Sequence, residues 1–482
     1  MSQRYEAYFA SLIETVRNPA SSRRRWAIQQ LGALGDQRAF ETLLPLLQGR
    51  NSDERYEAMI ALGRLGDARA IEPLRQKLKV EDAFRCQGAA VALGLLRDAR
   101  TFDLLSRLLR ERDEKRRAAA AAGLGVLGDQ RAERLLLQRL QDRDANVRWE
   151  AIRSLQHLGI SQGIEPFVPL LKDGSAMIRG AALSAIEKYG GEQALPYLLD
   201  VLRKDSSGEV RFQAAYLLGE RHAAQAVSAL IWTLQHDTGA NVWGDRVKEA
   251  AAEALVEIGD QRAFEPLVAA LHDGDHYVRG GVACALGKLG DRRVFEFLLP
   301  LLNDPGLGVY ASTVEGLGYL GDQRAFEPLL EALKAPDRSV RWEALLALGR
   351  LRDPRALEPL LQALNDTDMI IREVAVEGLG YLGDAGGVEP LLALLQSEEE
   401  RLRVAAASAL GELADTRAFQ PLLAALDDRE PRVRQYAAQA LGQLGDARAL
   451  PTLRLAQQED IPQVRQAATE AIDLLTQKPS QP

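Results

Sequence analysis

The sequence predicts an all-α chain, an α-α superhelix or solenoid of about fifteen helix hairpins stacked in series. Three observations predict it. A turn of the form Leu-Gly-Asp-x-Arg-Ala returns with a period of 31 residues, at Asp36, Asp67, Asp98 and Asp129, and again at Asp260, Asp291, Asp322, Asp353, Asp384, Asp415 and Asp446. A fixed period of roughly 20 to 50 residues means units that cannot bury an apolar face without a neighbour. Between turns lie two apolar stretches at helical spacing around a short polar cluster, so each unit is a hairpin of helices A and B. The composition, 46% hydrophobic but only 6% aromatic, suits close helix packing and is poor in sheet formers. Length alone would suggest about three globular domains, but a stack grows along one axis without enlarging its core.

Residues 325–353 show the elements in order. Helix A is Ala-Phe-Glu-Pro-Leu-Leu-Glu-Ala-Leu from Ala325; Pro328 sits near its start, where a missing N–H costs little, and Glu-Pro-Leu-Leu recurs at Glu358 and Glu389. The turn is Lys-Ala-Pro-Asp-Arg-Ser. Helix B is Val-Arg-Trp-Glu-Ala-Leu-Leu-Ala-Leu-Gly-Arg-Leu, whose Ala344, Leu345, Leu348 and Leu351 form the core stripe, with Gly349 placed for a close crossing with the next repeat.

Two polar features repeat with the helices. Twelve residues before the turn aspartate stands Arg24, 55, 117, 148, 179, 211, 279, 341, 372, 403, 434 or 465, with Lys248 in one unit and Cys86 and Tyr310 in two others. This row reads as a structural ladder bridging neighbouring loops, beside loop acids such as Asp144, Asp275, Asp337 and Asp368. Two residues after the turn aspartate stands Arg38, 69, 100, 131, 262, 293, 324, 355, 417 or 448. Aspartate and arginine are lost together at Ile160/Gln162, Gly191/Gln193 and Ala223/Gln225, which implies that they pair across the turn or between adjacent turns.

The Val-Arg pair, the Ala-Leu-Gly-x-Leu-Gly-Asp run and the following Arg-Ala resemble HEAT repeats of the short, phycobilin-lyase-like type, over nearly the whole chain. The resemblance implies a HEAT-like solenoid. For function it implies a range, from bilin lyases and phycobilisome-handling proteins through metal-cluster assembly helpers to general scaffolds. A HEAT-like hydroxylase family builds a di-iron centre from His-Glu pairs, and this chain has no His-Glu dipeptide.

The period fails near the middle. The step from Ala223 to Asp260 is 37 residues, so six extra residues sit around His236 to Arg246 in a polar insert that carries Trp243, with Trp232 on the preceding helix. Insertions in solenoids map to loops on one rim and often bind. The expected organisation is an N-terminal arm at 1–222, an irregular central repeat at 223–259, a C-terminal arm at 260–476 and a disordered tail at 477–482.

Charge and chemistry narrow the function. Residues 1–150 hold 27 Lys and Arg against 21 Asp and Glu, whereas the whole chain carries a net charge of −8. A sequence pI near 5.5 argues against nucleic acid. The absence of about 18 consecutive apolar residues argues against membrane insertion, and the start of the chain lacks a signal-peptide pattern. Cys86 and Cys284 lie in different repeats, which suits a reducing, cytoplasmic compartment and buried thiols. His272-Asp-Gly-Asp-His276 occupies an A-to-B loop where acids are the norm, and no phosphate loop, zinc pairing or nucleophile elbow appears. No catalytic or metal-binding residue is assigned.

The expected function is therefore a non-catalytic scaffold that holds a protein partner on its concave face, with no cofactor. The helix B positions two, five and nine residues after the ladder residue point away from the A helices, and the candidates lie at five and nine. They supply Glu315 and Glu377, with Glu253, Cys284 and Glu470, and then Arg64, His157, Lys188, Glu220, Glu257, Lys288, Tyr319, Arg350, Tyr381 and Glu412. The tyrosines are candidate anchors. The alternative implied by the resemblance is a bilin lyase or chromophore chaperone. In that reading Trp232, His236 and Trp243, or the tyrosine pair, cradle a bilin tetrapyrrole for a phycobiliprotein partner.

Overall fold

The computed structural model describes residues 3–78, 83–161, 163–237 and 244–477, and these are helical throughout, with no strand among them. Two compact units are present, Gln3–Ala214 and Ala215–Pro482. Within each, short A helices alternate with longer B helices, and successive B helices pack side by side. The fold is the expected α-α solenoid of helix hairpins.

One repeat explains the rest. Gly321 ends the preceding B helix with φ of +63°, a left-handed cap that glycine adopts without strain. Asp322 follows in extended conformation, and its carboxylate accepts a hydrogen bond from the Arg324 N–H, starting a 3₁₀ turn at Gln323–Ala325. That turn runs into helix A, Phe326–Ala332. Asp337 then caps helix B, Arg338–Leu351, by accepting from the Ser339 N–H. The Leu-Gly-Asp signature is thus a C-cap joined to an N-cap, which is why it survives in nearly every repeat. Ala344, Leu345, Leu348 and Leu351 are buried as the stripe requires.

Glycines set the spacing of the B layer. A Cβ on Gly349 would lie 2.4 Å from the Gly378 carbonyl oxygen, and one on Gly287 would lie 2.1 Å from that of Gly316. Consecutive B helices touch backbone to backbone there.

The arginine ladder is real, but its acceptors differ from those expected. Asp144, Asp275, Asp337 and Asp368 are helix caps, occupied by the N–H groups of Asn146, Tyr277, Ser339 and Ile370. Among the described residues, Arg117, Arg148, Arg179, Arg279, Arg403 and Arg434 instead cross to the aspartate that opens the next A-to-B loop. Arg117 reaches Asp142 with two bonds of 2.9 Å, Arg279 reaches Asp304 with two of 2.7 Å, and Arg434 reaches Asp460 with two of 2.6 Å. Lys248 keeps the contact through Asp273 at 2.8 Å. Arg341 forms no such bridge and donates only to the carbonyls of Ala335 and Pro336 in its own loop.

The turn clamp closes within one turn. Arg38, Arg131, Arg293 and Arg448 each bond the aspartate two residues earlier at 2.5–2.6 Å. The same guanidinium groups also lie over a phenylalanine of the preceding A helix, as Arg131 does over Phe102 at 4.0 Å and Arg324 over Phe295 at 4.2 Å. One side chain therefore closes its own turn and fastens it to the previous repeat.

Candidate functional site

Because the A helices and glycines occupy the other sides of each B helix, the residues left open on the B layer define the surface available to a partner. In the second unit the expected positions converge. Tyr319, 39% exposed, has Lys288 5.5 Å and Arg350 4.4 Å from its ring centroid. Arg350 also lies 5.4 Å from the Tyr381 ring, and the Tyr381 hydroxyl donates to Glu377 at 2.7 Å. That bond to a carboxylate, with burial, pushes the Tyr381 phenol up to about 12. Glu315 stands close enough to raise both the Cys284 thiol and the Glu343 carboxyl. Glu315, Tyr319, Arg350, Glu377 and Tyr381 thus form one continuous row. Glu220 and Glu257 form a second acidic group with Glu253 beside the exposed ring of Tyr216.

In the first unit the expected residues do not converge. Arg64, His157 and Lys188 are exposed on separate B helices, and Lys188 is spent on the Gln156 carbonyl. Trp232 and His236 stack on each other at 5.2 Å on helix Val227–His236, which belongs to the A layer rather than to the B face. Trp243 and Gln162 lie outside the described residues. The histidine pair in the loop after Leu271 is accounted for structurally, since Asp273 takes Lys248 and Asp275 caps its helix.

Helical spacing placed the position two residues after the ladder arginine on this face, but the residue there and the tryptophan before it were not among the candidates. Immediately after the ladder arginine come Trp149-Glu150 in the first unit and Trp342-Glu343 in the second, and Val-Arg-Trp-Glu-Ala is repeated word for word at 147–151 and 340–344. That exact repetition, in units otherwise free to vary at these positions, was the available signal. Trp149 flanks two clefts of about 330 and 340 Å³. Trp342 flanks a larger one of about 490 Å³, whose other walls include Glu377, Val404, Glu412 and Tyr436. Glu150 is 4% exposed and accepts from Gln87 at 2.7 Å and from Arg153 at 3.2 Å. Burial raises its carboxyl, with Arg153 pulling it back. Glu343 is pushed up to about 7, first by burial and then by Glu315 and Glu377, with Arg350 opposing.

Burial pushes the Cys86 thiol up to about 11 and the Cys284 thiol up to about 12, so both favour the protonated form near neutral pH. Among the described residues, no three His, Cys, Asp or Glu side chains converge as metal ligands would. No helix among them is long and apolar enough to cross a membrane.

Alternating capped helices, a glycine-spaced B layer and a 31-residue period define a HEAT-type solenoid. The sequence profile of HEAT repeats matches residues 9–94, 133–219, 244–311, 296–380, 357–435 and 388–473, and the chain belongs to the HEAT-repeat family. No curated relative matches it in sequence. Among solved structures it is similar to yeast importin-beta, Kap95p, at 13% identity and a TM-score of 0.58, over 98% of this chain and 84% of that one. A second importin beta structure matches at 14% identity and a TM-score of 0.52, over 98% and 79%. The complex of CpcE and CpcF of phycocyanin lyase from Nostoc matches at 25% identity and a TM-score of 0.37, over 50% of this chain and 93% of that one.

Proposed function

We propose that this chain is a non-catalytic scaffold that holds a protein partner against the open face of its B helices. The observation that carries this reading is the row formed by Tyr319, Arg350, Glu377 and Tyr381 together with the cleft beside Trp342. Tyr319, Trp342 and Glu377 stand exposed on the helical layer, with Arg350 and Tyr381 half-buried beside them. Aromatic and arginine side chains dominate binding energy at protein interfaces, and a helical layer presents them without first ordering a loop. The repeat family supports the reading, since stacked repeats create extended binding surfaces. Kap95p, whose fold is similar, is known in complex with Nup1.

The test is capture from extract of the native cell with the purified chain as bait, beside a Tyr319→Ala/Tyr381→Ala variant, reading captured proteins by mass spectrometry and the eluate by visible absorbance. A colourless partner retained by the native chain and lost by the variant supports the scaffold. Phycobiliprotein subunits arriving with bound bilin would replace it with the pigment-handling function implied by the repeat type. Capture that is indifferent to the variant would remove the B face from the account.

A further inference from the structure

The two Val-Arg-Trp-Glu-Ala segments differ in one respect that bears on what binds. In the first unit the Trp-Glu pair is filled by the chain itself. The Arg153 guanidinium lies 5.2 Å from the Trp149 ring centroid and reaches the Glu150 carboxylate at 3.1 Å. Arg153 stands five residues after the ladder Arg148, and the equivalent position after Arg341 is Leu346. Leu346 is a buried residue that supplies no charge. In the second unit, therefore, the Trp342 ring holds no cation and Glu343 makes no ion pair or hydrogen bond. Trp342 is 37% exposed and opens onto the largest of the clefts described above.

Carboxylates outnumber cations around this empty place, with Glu373, Glu377 and Glu412 against Arg401 and Arg432 on the walls of the cleft. Glu377 and Glu412 line the same cleft and lie near enough for Glu377 to raise the Glu412 carboxyl, after burial. Each nearby cation already has a contact of its own, and Arg350 also pulls the Glu343 carboxyl down. Arg350 sits between Tyr319 and Tyr381, Arg401 is paired with Glu373, and Arg432 lies 3.8 Å from Glu400. Val374, Val404, Ala405 and Ala409 also line the cleft and give apolar surface for the methylene stem of a long basic side chain.

We propose that the Trp342–Glu343 pair receives an arginine or lysine side chain from the partner, in the arrangement that Arg153 adopts on Trp149 and Glu150, and that the partner segment lying in the adjoining cleft is basic. This rests on the protein-binding reading of the B face and names the chemistry of the segment it takes. A planar guanidinium both stacks on an indole and forks onto a carboxylate, so arginine is the better occupant. Glu377 and Glu412 favour further positive charge on the same segment.

The experiment uses the full chain and a fluorescein-labelled peptide of arginines spaced by serine and glycine, followed by fluorescence anisotropy. A second peptide replaces each arginine with citrulline, which keeps the shape and removes the charge. The arginine peptide is expected to bind and the citrulline peptide to bind at least about tenfold more weakly. Glu343→Gln, which keeps the side-chain volume, and Trp342→Ala are each expected to weaken the arginine peptide by about tenfold or more, whereas Glu327→Gln on an A helix removes the same charge without effect. Equal losses for Glu343→Gln and Glu327→Gln, equal binding of both peptides, or no binding of the arginine peptide would each overturn the proposal. A photoreactive side chain at Tyr436 separates the two levels of the account. If it captures a partner from native extract while the peptide results are negative, the scaffold stands and the basic segment falls; if it captures nothing, the scaffold reading fails with it.

Discussion

The Arg434 guanidinium closes on the Asp460 carboxylate through two bonds of 2.6 Å, with side-chain exposures of only 7% and 2%. The same arginine donates to the carbonyls of Asp428 and Arg429, so it ties its own loop to that of the next repeat. Removing it strands a buried carboxylate. Arg434→Ala should therefore lower the stability of the second unit by about 3–5 kcal/mol in urea denaturation. Arg341→Ala loses only two carbonyl contacts of its own loop and should cost about 1–2 kcal/mol. Equal losses would mean that the bridge between repeats adds nothing.

Backbone contact between B helices makes a second test. Gly287→Ala places a methyl group 2.1 Å from the Gly316 carbonyl oxygen, and the helices must part to accept it. The expected loss is about 1–3 kcal/mol. Gly174→Ala, where nothing lies within 4 Å of the added carbon, should change stability by less than about 0.5 kcal/mol in the same melt.

Two sets of carboxyls impose opposite pH dependences. Glu343, raised on folding from 4.5 to about 7, keeps its proton longer in the folded chain, so its contribution falls as pH rises through that window. Thermal melts of Glu343→Gln should show a gain over the native chain that opens between about pH 4.5 and pH 7 and then stays constant. A gain independent of pH would contradict the raised carboxyl. The turn aspartates Asp98, Asp260 and Asp415 are held down at about 2 from 3.8 by their clamp arginines. Their stabilisation is complete above 3.8 and is lost as pH falls toward 2.

Both cysteines should be silent in the folded state. Cys86 and Cys284 are buried, and burial holds their thiols protonated near neutral pH. Iodoacetamide should label neither until denaturant is added, as read by intact mass. Rapid labelling of folded chain at Cys284 would show that the B face opens there.

The fold was legible because the turn does two jobs with few residues. A left-handed glycine followed by a capping aspartate can be replaced only at a cost, so Gly321-Asp322 and its equivalents mark most of the boundaries. The ladder was legible as a row of arginines, but its acceptors were not. Asp337 and Asp304 are both loop aspartates in sequence, and only the path of the loop decides that the first caps a helix and the second receives Arg279. The B face was partly legible. Glu315, Tyr319, Arg350, Glu377 and Tyr381 were found from helical spacing, since all are large polar side chains on one line. Glu343 lies on the same inward line, two residues after Arg341, but neither it nor Trp342 was among the candidates, because an aromatic ring beside the ladder arginine reads as core. The stacking of arginine on phenylalanine across repeats was also hidden, because Phe102 and Arg131 lie 29 residues apart and only the packing of successive repeats brings them within 4.0 Å.

The most direct test of the central claim places a photoreactive amino acid at Tyr319 and at Tyr436 on the B face, and at the exposed Phe297 and Leu455 on A helices, then irradiates each in native extract. The account predicts one common partner cross-linked from Tyr319 and Tyr436 and absent from Phe297 and Leu455. Cross-links arising only from the A-helix positions would contradict it and move the working surface to the opposite layer.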